Sequence, residues 1–304
     1  MSFSGDVKRE LLSAITGGSQ TESGQREESL PCCRHALTYG LLQMGHAFTG
    51  SSISLRTEYE DIAVLYARVL EVECGIKAVP RKEGRGFTVI VETAEERIRV
   101  LEHFGHRAGE VGVRLNRANF DCDICCVAYL RGAFLAGGAV TNPESGYHLE
   151  FDIPYYNLSR DLLVLLNEMD LPGKVIRRSG RQIVYFKDSE RIEDCLICMG
   201  AQQAALVLMN IKLLRDVRGR ANRIANCENA NIDKTVTAAV TQMAALRRLD
   251  INALPDDLRE VAVLRLEQPE LSLRELGEVL TPPLSRSGVN HRLQRLMELA
   301  GKEQ

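Results

Sequence analysis

The chain has 304 residues, of which 45% are hydrophobic and 26% charged, with a net charge of −3. That length accommodates two or three domains with separate cores, and no apolar run approaches the ~20 residues a membrane span needs. The charge balance excludes a globally basic protein, although local positive patches escape such an average. Residues 1–8 lack the apolar stretch of a secretory signal. The odd count of nine cysteines fits reduced thiols better than a disulfide framework. The expected compartment is the cytoplasm, with no membrane association.

Along the chain, the first organising feature is a repeat. Cys32, Cys33, Leu37, Leu42 and Gly45 recur as Cys125, Cys126, Leu130, Leu135 and Gly138, each displaced by 125 − 32 = 93 positions. With one residue inserted, Gly86, Val89-Ile90-Val91 and Glu96-Arg97-Ile98 recur as Gly180, Ile183-Val184-Tyr185 and Glu190-Arg191-Ile192 (183 − 89 = 94). Each copy reads as an apolar helix, a strand, a second helix and a hairpin ending in a β-branched strand. In the second copy these elements fall at residues 127–135, 147–153, 159–169 and 174–185.

The string Tyr129-Leu130-Arg131-Gly132-Ala133-Phe134-Leu135-Ala136-Gly137-Gly138 resembles the signature helix of the LAGLIDADG homing-endonuclease fold. The resemblance implies two such helices packed side by side, and Gly132 and Ala136, four apart, offer a small face for that approach. It also implies an acidic residue at the end of each helix to bind the catalytic metal, since hard cations need carboxylate oxygens. The matching positions are Met44 and Gly137, and neither can ligate a metal. No catalytic residue is therefore expected.

Next come two basic segments. The hairpin carries Lys174, Arg177, Arg178 and Arg181 around Gly180. It is either a solvated tip or, as the LAGLIDADG resemblance implies, a strand pair laid on DNA phosphates. Between positions 208 and 225 the cations Lys212, Arg215, Arg218, Arg220 and Arg223 face one acid, Asp216, giving 5 − 1 = +4. Arg218, Arg220, Asn222 and Arg223 read either as a polar linker or as phosphate contacts.

The last third has three helical segments. Pro255-Asp256-Asp257 opens the first with proline and acids in its first turn, and Leu258, Val261, Ala262 and Leu264 cover one side. Ser272-x-x-Glu275 is a capping box opening the second, in which Leu273, Leu276, Gly277 and Leu280 share a face. After a turn at residues 281–285, the third helix sets Val289, Leu293, Leu296 and Ala300 within one narrow arc. The opposite arc holds Ser287, Asn290, His291, Gln294 and Arg295, with Arg292 at the border. Arg286, Arg292 and Arg295 carry +3 with no acid between positions 284 and 297. Such donors and acceptors suit base edges and phosphates, and the arrangement is that of a helix-turn-helix whose last helix enters the major groove. Ser272, Arg286, Ser287, Gly288, Asn290, His291, Arg292, Gln294 and Arg295 are the candidate DNA contacts. A three-helix protein-interaction bundle is the competing reading.

Taken together, these segments resemble the WhiA family over essentially the whole chain. The matching pieces are Met1-Ser2-Phe3-Ser4 with Val7-Lys8, both Cys-Cys helices and the 129–138 string. Further matches are Arg220-Ala221-Asn222-Arg223, Asn226-Cys227-Glu228-Asn229-Ala230-Asn231, Ser272-Leu273-Arg274-Glu275-Leu276-Gly277 and Ser287-Gly288-Val289-Asn290-His291-Arg292-Leu293. The resemblance implies an α+β protein in which a pseudo-symmetric, degenerate LAGLIDADG-like domain of two repeats precedes an all-α helix-turn-helix. The expected segments are 1–121 and 122–210 for the two halves, 211–250 for a basic, asparagine-rich linker helix and 251–304 for the helix-turn-helix. The implied role is sporulation transcription regulation in actinobacteria, or cell division and chromosome segregation in firmicutes. Duplex DNA is the implied partner, with room for other transcription or cell-division proteins, and the nucleoid the implied location. A nucleoid-structuring protein with little sequence preference is the alternative.

Two Cys-x-x-Cys pairs, Cys122/Cys125 and Cys195/Cys198, have the local spacing of zinc ligands, yet 195 − 125 = 70 positions separate them. Cys195 and Cys198 sit in an apolar helical stretch, where cysteine acts as a small core residue. Cys32-Cys33 and Cys125-Cys126 begin matching helices and suit a tight pseudo-symmetric interface. No metal and no cofactor is therefore expected. The phosphate-binding loop, nucleophile-elbow and His-Glu-x-x-His motifs are missing from the sequence. His35, His46, His103, His106 and His148 are scattered and read as structural.

Overall fold

A computed structural model describes residues 2–17, 30–110 and 112–302. The chain divides into two compact units, Met1–Leu213 and Leu214–Gln304. In the first, α1 (Phe3–Gly17) buries Val7, Leu11 and Leu12 on one side, the i, i+4 spacing of an amphipathic helix.

Two copies of one element order follow. The first comprises α2 (Pro31–Gln43), β1 (Ala47–Phe48), β2 (Ile53–Thr57), α3 (Glu60–Cys74), β3 (Arg81–Glu83), β4 (Gly86–Ile90) and α4 (Ala94–His103). The second comprises α5 (Cys125–Gly137), β5 (Gly138–Val140), β6 (Leu149–Ile153), α6 (Tyr156–Glu168), β7 (Lys174–Arg178), β8 (Arg181–Phe186) and α7 (Ser189–Met199). Their antiparallel sheets have orders β1-β2-β4-β3 and β5-β6-β8-β7. The repeat in sequence is thus a repeat in topology. The short opening strands β1 and β5 were not expected, because two or three residues are too few to show a period-two pattern.

Strand β6 shows the alternation of a sheet with one buried face, with Leu149, Phe151 and Ile153 buried and the residues between them partly exposed. In the second sheet Leu149 pairs with Phe186 and Phe151 with Val184; all four are buried. Glu150 and Asp152, between them in β6, face the other way. The β7–β8 turn places Ser179 and Gly180 at φ 50° and 83°, the two positive values that a tight two-residue hairpin demands.

A single core runs from Val7 through both halves to Leu208, so position 121 separates repeats within one body. At its centre α2 crosses α5. A Cβ built on Gly132 would lie 2.1 Å from the Leu37 carbonyl oxygen, and one on Gly40 would lie 2.1 Å from that of Tyr129. The close approach therefore rests on Gly132 with Gly40 rather than on Gly132 with Ala136, which is only partly buried. Beside the crossing lies a buried polar chain. Tyr129 donates to Gln43 Oε1 at 2.9 Å, and Gln43 Nε2 donates to Tyr39 Oη at 2.9 Å. Since Tyr39 Oη also accepts the Asn116 N–H, its own proton goes to His106 Nε2 at 2.8 Å. Both tyrosine hydroxyls of this polar chain, Tyr39 and Tyr129, are satisfied, as burial requires.

The long helix α8 (Gln202–Leu246) starts at Gln202, nine residues before the expected linker (211 − 202 = 9). Its first turns are pinned because Ala204, Ala205 and Leu208 join the first core. In the second unit α9 (Asp256–Glu267), α10 (Leu273–Val279) and α11 (Arg286–Lys302) follow. Leu258, Val261, Ala262, Leu276, Leu280, Val289, Leu293, Leu296 and Ala300 share one core with Leu246, Leu249 and Leu254. Among the described residues, no helix is long and apolar enough to cross a membrane.

Candidate nucleic-acid interface

The apolar stripe of α11 points inward as its spacing predicts: Val289, Leu293 and Leu296 are at most 1% exposed. Ser287, Asn290, His291, Gln294 and Arg295 are exposed on the far side, as is Arg286. Two features fix how this face is presented. Ser285 opens α11, its side-chain oxygen accepting the Gly288 N–H at 3.2 Å and its carbonyl the Val289 N–H at 3.0 Å. The turn is held against α10 by the Leu284 N–H donating to the Gly277 carbonyl at 2.8 Å, where a Cβ on Gly277 would stand 2.2 Å from the Leu284 oxygen. The face is therefore a rigid surface set by tight backbone packing.

Two candidate contacts prove to be engaged in the fold. Arg292 is half-buried and donates to the Asp257 carbonyl at 3.0 Å, tying α11 to the start of α9. Ser272 caps α10: its Oγ accepts the Glu275 N–H at 3.3 Å while Glu275 returns a bond to the Ser272 N–H at 2.8 Å. Ser272 is thus a positioning residue for the short helix before the turn.

Arg265 was not anticipated. Only 1% exposed, it donates to the carbonyls of Leu271 at 2.6 Å and Pro269 at 3.3 Å, bridging the α9–α10 loop. A lone arginine on an otherwise charged helix carries no signal in sequence; only the depth of its pocket distinguishes it. That depth also makes its charge costly, so burial lowers its pKa from the usual value.

The hairpin divides into two behaviours. Arg178 holds Glu150 through two bonds of 2.7 and 3.2 Å, and Arg181 Nε meets Asp152 Oδ1 at 2.6 Å. Burial pushes the Glu150 carboxyl upward, but Arg178 and His148 outweigh it and hold it below its ordinary value. Lys174 and Arg177 are exposed and make no ion pair among the described residues. Two of the four hairpin cations are thus neutralised by the adjacent strand. On α8, Arg218, Arg220, Asn222 and Arg223 are all exposed. At 100° per residue Arg218 and Asn222 share one side, while Arg220 and Arg223 lie near the other. No single narrow face of α8 therefore presents all four.

The positions that would hold catalytic acids come together. Met44 caps α2 and Gly137 ends α5; a Cβ on Gly137 would lie 3.6 Å from Met44 Cβ, but also 2.7 Å from the Asp152 carbonyl oxygen. Met44 is 1% exposed. Three of the histidines have structural partners: besides His106, His35 Nε2 bonds Asn119 Oδ1 at 2.8 Å and His148 bonds Glu150 at 2.9 Å.

A duplicated α+β scaffold around a glycine-lined helix pair, followed by a helix-turn-helix with a polar last helix, defines a LAGLIDADG-like protein carrying a helix-turn-helix module. Residues 126–218 match the WhiA LAGLIDADG-like domain and residues 221–300 the WhiA C-terminal HTH domain. The probable cell division protein WhiA of Alkaliphilus metalliredigens is 35% identical over 324 aligned positions, covering 100% of this chain and 98% of the relative. The protein of the same name from Clostridium botulinum strain Hall is 37% identical over 265, covering 82% and 84%. The crystal structure of full-length DUF199/WhiA from Thermatoga maritima superposes with a TM-score of 0.55 at 23% identity, over 99% of both chains. The chain belongs to the WhiA family.

Proposed function

We propose that this chain is a duplex-DNA-binding regulator in cell division that does not cut DNA. The observation that carries this reading is the exposed arc of α11: an amide on Asn290, an imidazole on His291, an amide on Gln294 and guanidinium groups on Arg286 and Arg295. No acid interrupts it from position 284 to 297. Those groups offer the donor and acceptor types that read base edges, flanked by cations for phosphates. A protein-interaction bundle has no need of an acid-free strip. The process is taken from the relatives, named probable cell division proteins.

The same reading makes the LAGLIDADG-like half a scaffold. Met44 and Gly137 supply no carboxylate, and the Asp152 carbonyl already occupies the space beside Gly137, so a metal-assisted hydrolysis lacks the pair of acids that would hold its cation there. Footprinting the full chain on genomic fragments tests both claims. A short protected site, with affinity falling steeply as salt rises, supports the regulator. Uniform protection without a preferred site points instead to nucleoid structuring. Failure to bind any duplex at low ionic strength removes the proposal, and clean cutting of plasmid with magnesium removes its non-enzymatic part.

A further inference from the structure

The repeat pairs Cys32 with Cys125 and Cys33 with Cys126, but the fold assembles a different set. Cys32, Cys33, Cys122 and Cys125 converge, with all four sulfurs within 4.8 Å of one another. Cys122 Sγ lies 3.7 Å from Cys32 Sγ, 3.6 Å from Cys33 Sγ and 3.4 Å from Cys125 Sγ. Cys126, the repeat partner of Cys33, stands outside the group, as do Cys195 and Cys198 in α7.

These spacings carry chemical information. Four thiolates around one zinc ion at about 2.3 Å form a tetrahedron with edges of about 3.8 Å. A disulfide would need two of the sulfurs at about 2.05 Å, and an iron–sulfur cluster would need its own volume between them. The remaining occupants are four protons, with each thiol a weak hydrogen-bond partner, or one soft cation. We propose that Cys32, Cys33, Cys122 and Cys125 form a mononuclear tetrathiolate site for zinc.

The surroundings fit. Cys32 and Cys33 occupy the first turn of α2, and Cys125 the first position of α5. Zinc binding releases the thiol protons and leaves a net charge of −2, placed at two helix N-termini whose dipoles favour negative charge. Cys33 and Cys125 are buried while Cys32 and Cys122 reach partial exposure, leaving a path for the metal. The site would tie the two repeats together at the start of the helix pair, at the opposite end from Met44 and Gly137. A second grouping, His35, Glu73 and His103, is set aside because Arg34 already holds Glu73 at 2.7 Å and Asn119 holds His35.

The test uses the full chain purified under reducing conditions without added chelator. Elemental analysis is expected to give about one zinc per chain, and a mercurial should release it only as thiols beyond the exposed Cys227 react. Replacing the metal with cobalt(II) should produce the intense visible bands of a tetrahedral thiolate complex. Cys122→Ser should lose the metal, whereas Cys126→Ser and Cys198→Ser should retain it. Should Cys122→Ser fail to fold, the cobalt spectrum of the unaltered chain decides alone. A zinc content near zero after growth in zinc-replete medium would overturn the site. So would an octahedral cobalt spectrum, a Cys32–Cys122 disulfide, or metal loss in Cys198→Ser with retention in Cys122→Ser.

Discussion

Gly132→Ala isolates the crossing of α2 and α5. The added Cβ would stand 2.1 Å from the Leu37 carbonyl oxygen, and ordinary contact begins at 3.4 Å, so the helices must part by about 3.4 − 2.1 = 1.3 Å. Overpacking of this kind costs about 1–3 kcal/mol. Parting the helices also lengthens the Tyr129–Gln43 hydrogen bond from 2.9 Å, adding about 1 kcal/mol. Against this, alanine favours the helix over glycine by about 1 kcal/mol. The net expectation is a loss of about 1–3 kcal/mol, read by calorimetry as a fall of roughly 2–12 °C in the melting of the first unit. Gly219→Ala is the matched control. In α8 its Cβ meets only a flexible Arg223 nitrogen at 3.7 Å, and the same chemical change should stabilise by up to about 1 kcal/mol. Equal effects at the two sites, or a stabilised Gly132→Ala protein, would refute the close-approach argument.

Asn290→Ala should weaken binding to a preferred duplex by about 1–3 kcal/mol and relax preference at one base pair; competition assays that show the same ranking of sites would strike it from the readout. In the hairpin, Lys174→Ala or Arg177→Ala should lower the slope of log affinity against log salt by about 0.9 per lost phosphate contact. Arg178→Ala and Arg181→Ala should change it less, because those cations already meet Glu150 and Asp152; the reverse order would mean the pairs open on DNA. Burial pushes the Asp161 carboxyl upward, but the Arg114 guanidinium and the Leu115 N–H outweigh it and hold it below its ordinary value. Its contribution to stability is therefore present above the unfolded carboxyl range and lost as pH falls through the lower folded value. Asp161→Asn should be less stable than the parent at pH 7, with the gap closing toward pH 3; a gap independent of pH in denaturant titrations would dismiss the pairing as its source.

Much of this architecture can be read from the chain because its signals are periodic. The aliphatic positions of α11, the Ser272/Glu275 capping box and the hairpin glycine each follow from local geometry, and the duplicated register exposes the two-fold plan. What escapes is set by distant neighbours. Gly40 is an ordinary residue in an apolar helix until Tyr129 arrives across the crossing. Arg265 looks like one more surface cation until the loop carrying Pro269 and Leu271 folds over it. The cysteines are the clearest case. Spacing along the chain groups Cys122 and Cys125 with a second Cys-x-x-Cys pair, whereas the fold brings them to Cys32 and Cys33, some ninety positions earlier. Local spacing identifies half of a ligand set; the other half depends on which helices pack.

The meeting of Met44 with Gly137 has a consequence for any attempt to build a hydrolytic centre into this scaffold. The backbone has closed over the place: β6 lends its Asp152 carbonyl to one side, and a core methionine fills the other. Writing two aspartates into the gene would force a side chain against the Asp152 carbonyl at position 137 and put a carboxylate in place of a buried methionine at position 44, and the response would be a shifted strand and a damaged core rather than a metal-binding pair. Recovering such chemistry would need coordinated change in a helix end and a strand at once, a route that single substitutions do not travel.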